Sequence, residues 1–295
     1  MLKTWFIALR PWSFTASIIP VSLGAALAWN QGCFHPFLFI LTLIGGISIH
    51  AGTNLINTYG DFISGVDTID SAPTCPQLVK NILKPRQVKG VGIGFFVFAF
   101  VTGMYLVALR GWPILILGLI GIFGGYNYTA GLAYKYKGLG SISVFFLMGP
   151  MMVWGSYYVQ TGIHDWLAIW IALPVGFLVS CILHANDLRD IEYDKEAGIK
   201  TLAIFLGEDP SIPLYYALNT SAFVSLVLLV LAAYLPLLAL LPLLLVPQGW
   251  QIMQNAKEAG RGNREKLSLL EAGSARFHFK FGLLFVTALL INLAF

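Results

Sequence analysis

The sequence predicts an all-α protein whose helices form a polytopic bundle in a membrane. Three observations indicate this fold class: 57% of the 295 residues are hydrophobic, only 11% are charged, and long apolar runs recur along the chain. Soluble domains carry about 25% charged residues, and a membrane-spanning helix needs roughly 20 apolar residues. The composition therefore excludes a cytosolic enzyme and a disordered chain.

Nine apolar runs predict about nine transmembrane helices. The runs are continuous and do not alternate, which argues against a β-barrel. The first run follows Lys3 and Arg10 as the core of a signal peptide would, but Pro11 and Pro20 interrupt it, so we interpret it as the first helix. No linker or charge block divides the chain, which predicts one domain over residues 1–295. The predicted helices cover residues 12–30, 37–58, 90–108, 112–130, 139–160, 166–187, 214–234, 236–253 and 277–295.

The loops between these helices are unequal in charge and length. Of the 18 Lys and Arg residues, 17 fall on the side of the N-terminus, and Arg110 alone falls on the other side. The positive-inside rule therefore predicts an integral protein of the cell (inner) membrane with a cytoplasmic N-terminus. Of the 14 acidic residues, 13 lie on the same side, together with three long predicted loops. Acids contribute little to topology and long loops are often functional, so we expect the active-site loops on the cytoplasmic side. The long loops are residues 59–89, 188–213 and 254–276.

Two acidic motifs follow the second and the sixth predicted helix. In the first acidic motif (residues 54–70, NLINTYGDFISGVDTID), Asn54, Asn57 and Asp61 have the i, i+3, i+7 spacing of one helix face. Asp67 and Asp70 follow Gly65, where a helix often ends. The second acidic motif (residues 184–203, HANDLRDIEYDKEAGIKTLA) repeats the spacing with three aspartates. These are Asp187, Asp190 and Asp194.

The spacing of the acids indicates a cation site. A single aspartate at a helix end is usually a solvated interface residue, but three carboxylates on one face repel each other unless a cation lies between them. Oxygen ligands without His or Cys favour Mg²⁺ or Ca²⁺ over zinc, and Mg²⁺ leaves coordination positions open for substrate phosphate. Two opposed faces would hold a diphosphate between them. The bases expected to neutralise its oxygens are Lys135, Lys137, Arg189 and Lys200.

An apolar, aromatic interior behind such a site suits an isoprenoid diphosphate and predicts a membrane enzyme. Two other classes remain open from the residues: a secondary transporter, and a CDP-alcohol phosphotransferase. The acids cluster at one end of the helices, which disfavours the transporter. The D-G-x-x-A-R signature of the phosphotransferases is missing. The net charge of +4 is too small to suggest nucleic acid, and the three cysteines form no CxxC pair.

Four segments resemble the UbiA superfamily of intramembrane prenyltransferases. They are ALRPWSFTASIIPVSLGAALA (8–28), NLINTYGDFISGVD (54–67), GLGSISVFFLMGPMMVWGSYYVQTG (138–162) and NDLRDIEYDKEAGIKTLAIFLG (186–207). The third segment is most similar to the branch that prenylates 1,4-dihydroxy-2-naphthoate in menaquinone synthesis. One departure is Thr58, which occupies a position where many members have Asp. The menaquinone-type relatives of vertebrates also read N-T-Y-x-D-F there.

The resemblance implies nine helices around a lipid-open cavity and a Mg²⁺-dependent reaction between a prenyl diphosphate and an aromatic acceptor. The acceptor it favours is 1,4-dihydroxy-2-naphthoate, which loses its carboxylate. 4-Hydroxybenzoate, homogentisate, a non-quinone lipid or a tetrapyrrole are the alternatives. The implied catalytic and metal-binding residues are Asp61, Asp67, Asp187, Asp190 and Asp194, with Asn57 as a further metal ligand.

The remaining predicted contacts are to the substrates. Three tyrosines are candidates to stabilise an allylic cation with their ring faces: Tyr126, Tyr128 and Tyr193. Asn54, Asn57 and Asn186 are expected to contact substrate. Arg10 lies where an acceptor carboxylate would dock, although an interfacial position is the alternative. His184 is either a base for the acceptor or a packing residue.

Overall fold

The computed structural model of the protein describes residues 2–69, 71, 75–259 and 264–291. Within these ranges it is helical throughout and has no strand, which confirms the all-α fold class. The α-helices are α1 (Leu2–Leu9), α2 (Thr15–Asn30), α3 (Pro36–Ile63), α4 (Pro85–Arg110), α5 (Trp112–Asn127), α6 (Gly140–Met148), α7 (Pro150–Thr161), α8 (Leu167–Ile171), α9 (Leu173–Arg189), α10 (Ile191–Glu196), α11 (Leu202–Leu206), α12 (Glu208–Leu231), α13 (Val246–Ala259) and α14 (Arg264–Ile291). Three 3₁₀ segments join them: Pro11–Phe14, Tyr134–Tyr136 and Leu237–Leu245.

Prolines determine where several helices begin. Pro36, Pro85 and Pro150 each stand at the first position of their helix. A helix leaves its first N–H groups without internal partners, so proline loses nothing there and its fixed φ suits the helix. The sequence Gly149-Pro150 therefore ends α6 and starts α7, which divides the predicted helix 139–160 into two.

In the described part of the chain, seven segments are long and apolar enough to cross a membrane, so the protein is an integral membrane protein. The predicted count of nine spans is not confirmed in the described residues. α5 has 16 residues, about 24 Å of helix against a bilayer core of about 30 Å. The predicted span 166–187 is divided into α8 and α9. The seven spans are Pro11–Asn30, Pro36–Ile63, Pro85–Arg110, Gly140–Thr161, Pro210–Leu231, Leu237–Glu258 and Glu265–Ile291.

The predicted long loops are shorter than expected. α13 continues to Ala259 and α14 begins at Arg264, so most of the predicted loop 254–276 is helix. Likewise, the segment 188–213 contains α10, α11 and the start of α12. Hydropathy detects only the part of a helix that lies in hydrocarbon, whereas the polar ends of a helix continue beyond it.

The main hydrophobic core joins α2, α9, α12 and α14. It contains the fully buried side chains of Leu23, Leu178, Leu226, Phe281 and Phe285. On the other side of the molecule, α3 packs along α4 and approaches α5 and α7. These helices surround much of a cavity, whereas the main core is closely packed.

Candidate active site

Of two cavities beside the acidic motifs, the larger, which we call the apolar cavity, has a volume of about 310 Å³. Its wall comes from α2 to α7, from α9 and from one residue of α14, and most of its side chains are apolar. Thioether side chains are flexible and fit ligands of varied shape. Four methionines therefore give this cavity an adaptable surface: Met104, Met148, Met151 and Met152.

A second, much smaller cavity, the polar cavity, lies between the two acidic motifs. Asp61 and Asp67 of the first motif line it, and so do Arg189, Asp190 and Tyr193 of the second. The two cavities meet where they share lining residues. The shared residues include Arg10, Asn57, Lys135 and Asn186. A ligand with a polar head and an apolar tail would extend from one cavity into the other across this boundary.

Asn54, Asn57 and Asp61 of the first acidic motif lie on the last three turns of α3, as their spacing predicts, and Asp67 follows the end of that helix. Asp61 is buried, and both of its carboxylate oxygens are bonded to protein. Asn57 donates to Oδ2 at 2.7 Å, the Lys135 ammonium lies 3.5 Å from Oδ2, and the Tyr136 hydroxyl donates to Oδ1 at 2.5 Å. Asn54 donates to the Leu9 carbonyl at 2.9 Å and thus anchors the end of α1.

Arg10 is bonded to the first motif. Its backbone is left-handed (φ 54°), which ends α1 immediately before Pro11. Its guanidinium donates to Asn57 Oδ1 at 3.1 Å and to Thr58 Oγ1 at 3.2 Å. The buried Thr58 therefore supplies a neutral acceptor to Arg10. The Arg10 side chain lines both cavities, which favours the predicted substrate contact over the interfacial alternative.

Lys135 is the buried cation of the site. Burial by itself lowers the pKa of its amine, but the carboxylates of Asp61, Asp194 and Asp187 raise that pKa well above its usual value, so Lys135 is charged. Its ammonium also lies 5.9 Å from the ring centroid of Tyr128, which lines the apolar cavity. A diphosphate in the polar cavity would thus meet a fixed positive charge.

The second acidic motif is positioned at the junction of α9 and α10. Asp187 and Asp194 are buried, and Asp187 Oδ1 and both carboxylate oxygens of Asp194 have no hydrogen-bond partner within the described part of the chain. Burial, with the nearby Asp190 and Asp61, raises the pKa of Asp194 to about 7. Burial and the Asp61 carboxylate likewise raise the pKa of Asp67 to about 7. Lys135 lowers both pKa values, but burial has the larger effect on each.

Glu271 of α14 is a site residue that the sequence analysis missed. Arg189 forms ion pairs with Asp190, at 2.7 Å, and with Glu271. Asn186 also donates to Glu271, at 3.3 Å. Glu271 lines the apolar cavity and connects α14 to the second motif. A lone Glu between Leu270 and Ala272 gives no sequence signal, because only the packing of α14 against α9 brings it to the site.

Several predicted residues lie elsewhere. Lys137 and Lys200 are exposed, face each other in an isolated β-bridge, and are not among the residues lining either cavity. Tyr126 is half-buried and is likewise not among them. His184 is buried, and its Nε2 lies 2.8 Å from the Ser211 carbonyl, as expected for a packing residue. Asp70 lies outside the described residues.

The carboxylates suit a metal ion that is coordinated partly by the protein and partly by a substrate. Within the described ranges, no three His, Cys, Asp or Glu side chains form a ready-made metal site. A bound cation would give the partnerless oxygens of Asp187 and Asp194 a partner, and a buried carboxylate without one is costly. Mg²⁺ commonly takes one or two carboxylates and completes its shell with water and phosphate oxygens. The donor set therefore suits Mg²⁺ together with a diphosphate.

Sequence comparison gives this arrangement its context. Residues 17–271 match the UbiA prenyltransferase family. The chain belongs to this family. It is 33% identical to the UbiA prenyltransferase domain-containing protein 1 of Mus musculus, over 98% of this chain and 84% of the relative. The protein is thus a UbiA-type prenyltransferase, as its motifs predict, and this relationship leaves the acceptor open.

Solved structures show the same fold at low sequence identity. A UbiA homologue from Aeropyrum pernix K1 superposes with a TM-score of 0.69 at 14% identity, covering 95% of this chain and 98% of that one. A UbiA homologue from Archaeoglobus fulgidus bound to GPP and Mg²⁺ gives a TM-score of 0.57 at 16% identity, covering 96% and 99% of the two chains.

Proposed function

We propose that the protein transfers a polyprenyl group from an isoprenoid diphosphate to 1,4-dihydroxy-2-naphthoate, with loss of the acceptor carboxylate, as in menaquinone biosynthesis. The observation that carries the proposal is the boundary between the polar and the apolar cavity at Arg10, Asn57, Lys135 and Asn186. An isoprenoid diphosphate has the same two halves, a multiply charged head and an apolar tail. The head belongs between the acidic motifs and the tail among the methionines.

The acidic motifs are proposed to hold Mg²⁺. Asn57, Asp61 and Asp67 contribute from the first motif, and three aspartates contribute from the second: Asp187, Asp190 and Asp194. When bound, Mg²⁺ neutralises charge on the diphosphate and makes it a better leaving group. The A. fulgidus homologue bound to GPP and Mg²⁺ supports this choice of metal.

The residues of the chain assist the departure of the diphosphate. The bond between the allylic carbon and the bridging oxygen breaks, and its electron pair leaves with the diphosphate. The buried ammonium of Lys135 and the guanidinium of Arg10 compensate the negative charge. Arg189 also lines the polar cavity, but its guanidinium is ion-paired with Asp190 and Glu271. The diphosphate would compete with these two carboxylates for the guanidinium. Positive charge already in place lowers the energy of the transition state without reorganisation.

The allylic cation then alkylates the aromatic ring. We propose that the face of Tyr128, which lines the apolar cavity 5.9 Å from the boundary residue Lys135, stabilises this cation, and that Tyr193 does so from the polar side. The electron-rich ring of the acceptor forms the new C–C bond at the carbon that bears the carboxylate, and CO₂ leaves. The apolar wall keeps out water, which would otherwise capture the cation as an alcohol.

The choice of acceptor depends on the resemblance more than on contacts. The N-T-Y-x-D-F sequence and the segment 138–162 favour the naphthoate branch. The tyrosines and the glutamine of that segment bond to protein: Tyr157 to Gln31, Tyr158 to the Arg110 carbonyl, and Gln160 to the His35 amide. 4-Hydroxybenzoate, homogentisate, a non-quinone lipid and a tetrapyrrole are therefore the alternative acceptors to be tested.

We also propose that the acidic motifs face the cytoplasm and that residues 1–295 form one domain in the cell membrane. The charge asymmetry supports the orientation, since 17 of the 18 basic residues fall on the predicted cytoplasmic side. Substituted-cysteine labelling at Lys89 and at Asp165, in sealed vesicles, tests it. Reaction of position 165 from the cytoplasmic side would contradict the orientation.

The function is tested with purified protein in detergent, Mg²⁺, radiolabelled geranylgeranyl diphosphate and three acceptors in separate reactions: dihydroxynaphthoate, 4-hydroxybenzoate and homogentisate. We expect a prenylated, decarboxylated naphthoquinol, and no product after chelation of Mg²⁺. Product with another acceptor would retain the mechanism and overturn the naphthoate assignment. Binding of the diphosphate that is equally tight in excess chelator would contradict the metal-bridged site.

A further inference from the structure

One residue is hydrogen-bonded to both acidic motifs. The side chain of Tyr136 donates to Asp61 Oδ1 at 2.5 Å. Its carbonyl accepts from the Lys200 amide at 3.2 Å, and the neighbouring Ile199 amide donates to the Asp194 carbonyl at 3.1 Å. Three hydrogen bonds thus connect Asp61 of the first motif with Asp194 of the second.

The hydrogen bond from Tyr136 also determines which oxygen of Asp61 remains available to a ligand. Oδ2 already accepts from Asn57 and lies near Lys135, whereas Oδ1 has Tyr136 as its only donor within the described residues. A carboxylate oxygen has two lone pairs, so Oδ1 keeps one free. The phenol therefore fixes the direction in which Asp61 presents an oxygen to a ligand.

We propose that Tyr136 is a positioning residue that holds Asp61 Oδ1 and the separation of the two acidic motifs, so that one metal–diphosphate unit contacts both. This inference rests on the proposed function. Groups that bond to a metal-ligating side chain orient it, and their removal typically weakens metal binding 10- to 100-fold. Tyr136 differs from such a group in that its backbone also reaches the second motif.

The first test measures metal binding with Mn²⁺ and inorganic diphosphate as probes. Free Mn²⁺ is followed by electron paramagnetic resonance in wild type, Tyr136→Phe and the control Tyr59→Phe. Tyr59 lies on α3, two residues before Asp61, and packs on the α1 side. We expect Tyr136→Phe to bind Mn²⁺ about tenfold more weakly with unchanged Tm, and Tyr59→Phe to bind as wild type.

Three other outcomes of this binding test would each contradict a different statement. Binding of Tyr136→Phe within twofold of wild type would overturn the inference and leave the proposed function intact. A large fall in its Tm would make Tyr136 a structural residue and overturn the positioning role. Failure of the wild-type protein to bind Mn²⁺ with diphosphate would overturn the proposed function, and this inference with it.

The second test concerns the connection between the motifs. Hydrogen exchange of a peptide covering residues 197–201 reports on the Lys200 amide. We expect Mn²⁺ with diphosphate to slow this exchange at least fivefold in wild type and less than twofold in Tyr136→Phe. Equal slowing in both proteins would show that Tyr136 does not connect the two motifs.

Discussion

Individual residues of the two acidic motifs differ more than their matching spacing suggests. Both oxygens of Asp61 are bonded to protein, by Asn57, Lys135 and Tyr136, whereas Asp194 has no hydrogen-bond partner among the described residues for either oxygen. Spacing on a helix predicts which side chains share a face, and Asn54, Asn57 and Asp61 lie together on α3 as predicted. In the second motif the helix is interrupted at Asp190, so Asp187 lies on α9 and Asp194 on α10. Spacing does not predict which partners come from other helices, because those depend on tertiary packing.

The first prediction concerns one aspartate from each motif. Asp61→Ala and Asp190→Ala should each lower kcat at least a hundredfold, because each removes part of the electrostatic site around the diphosphate. Prenyl transfer is measured in detergent, and membrane insertion is checked by fractionation. Near-normal turnover in either variant would contradict the assignment of both motifs to one site.

The second prediction concerns the buried cation. Lys135→Gln should lower kcat/KM for the prenyl diphosphate more than tenfold and destabilise the protein by about 3 kcal/mol, because it leaves buried carboxylates without compensation. Steady-state kinetics and thermal unfolding in detergent measure the two effects. Lys195→Gln is the control, since Lys195 is exposed beside Asp194. Equal behaviour of both variants would contradict a special role for Lys135.

For the helices, the sequence predicts where each one lies in the chain better than it predicts the residues at which each one begins and ends. All nine apolar runs correspond to helical segments, and proline marks the start of α3, α4 and α7. The beginning of α14 differs from the prediction by 13 residues (277 minus 264). Its first turns carry polar residues, so hydropathy assigns them to a loop, although packing keeps them helical and brings Glu271 to the site.

Close approach of α2 and α7 gives a prediction about one glycine. A Cβ at Gly24 would lie 2.3 Å from the Val153 carbonyl oxygen and 2.8 Å from Ser156 Cβ. Gly24→Ala should therefore destabilise the protein by about 1–3 kcal/mol, as overpacking does. Gly90→Ala in α4, where a Cβ meets nothing within 4 Å, is the matched control. Thermal unfolding in detergent measures the difference. Equal melting temperatures of the Gly24→Ala and Gly90→Ala variants would refute tight packing of α2 against α7.

The whole molecule is asymmetric in a way that the repeated motif does not reveal. The main packed core joins α2 to α9, α12 and α14, whereas the apolar cavity lies mostly among helices of the first half. Composition indicates an apolar interior in both halves. Whether that interior is filled depends on how side chains from distant helices meet, and no pattern within one helix contains this information.

The open space in the first half leads to a prediction about chain length. Gly45 lines the apolar cavity, and a Cβ there meets nothing within 4 Å. Gly45→Leu should fit without a clash and shorten the cavity, lowering kcat/KM for geranylgeranyl diphosphate at least tenfold relative to geranyl diphosphate. Gly94→Leu, exposed on α4 and not among the lining residues, is the control. An unchanged ratio of kcat/KM values would place the prenyl tail elsewhere.

The wall between α4 and α5 has a consequence for the turnover cycle. Three side chains that line the apolar cavity, Phe100, Met104 and Leu119, are 42%, 41% and 47% exposed. Other protein atoms cover only part of these side chains, so α4 and α5 form a weakly packed part of the cavity wall. Transfer of each methylene to water costs about 0.8 kcal/mol, so a long-chain product partitions into the bilayer, while diphosphate dissolves in water. The two products leave into different phases, and viscous or tightly ordered lipid should slow the release of only one of them.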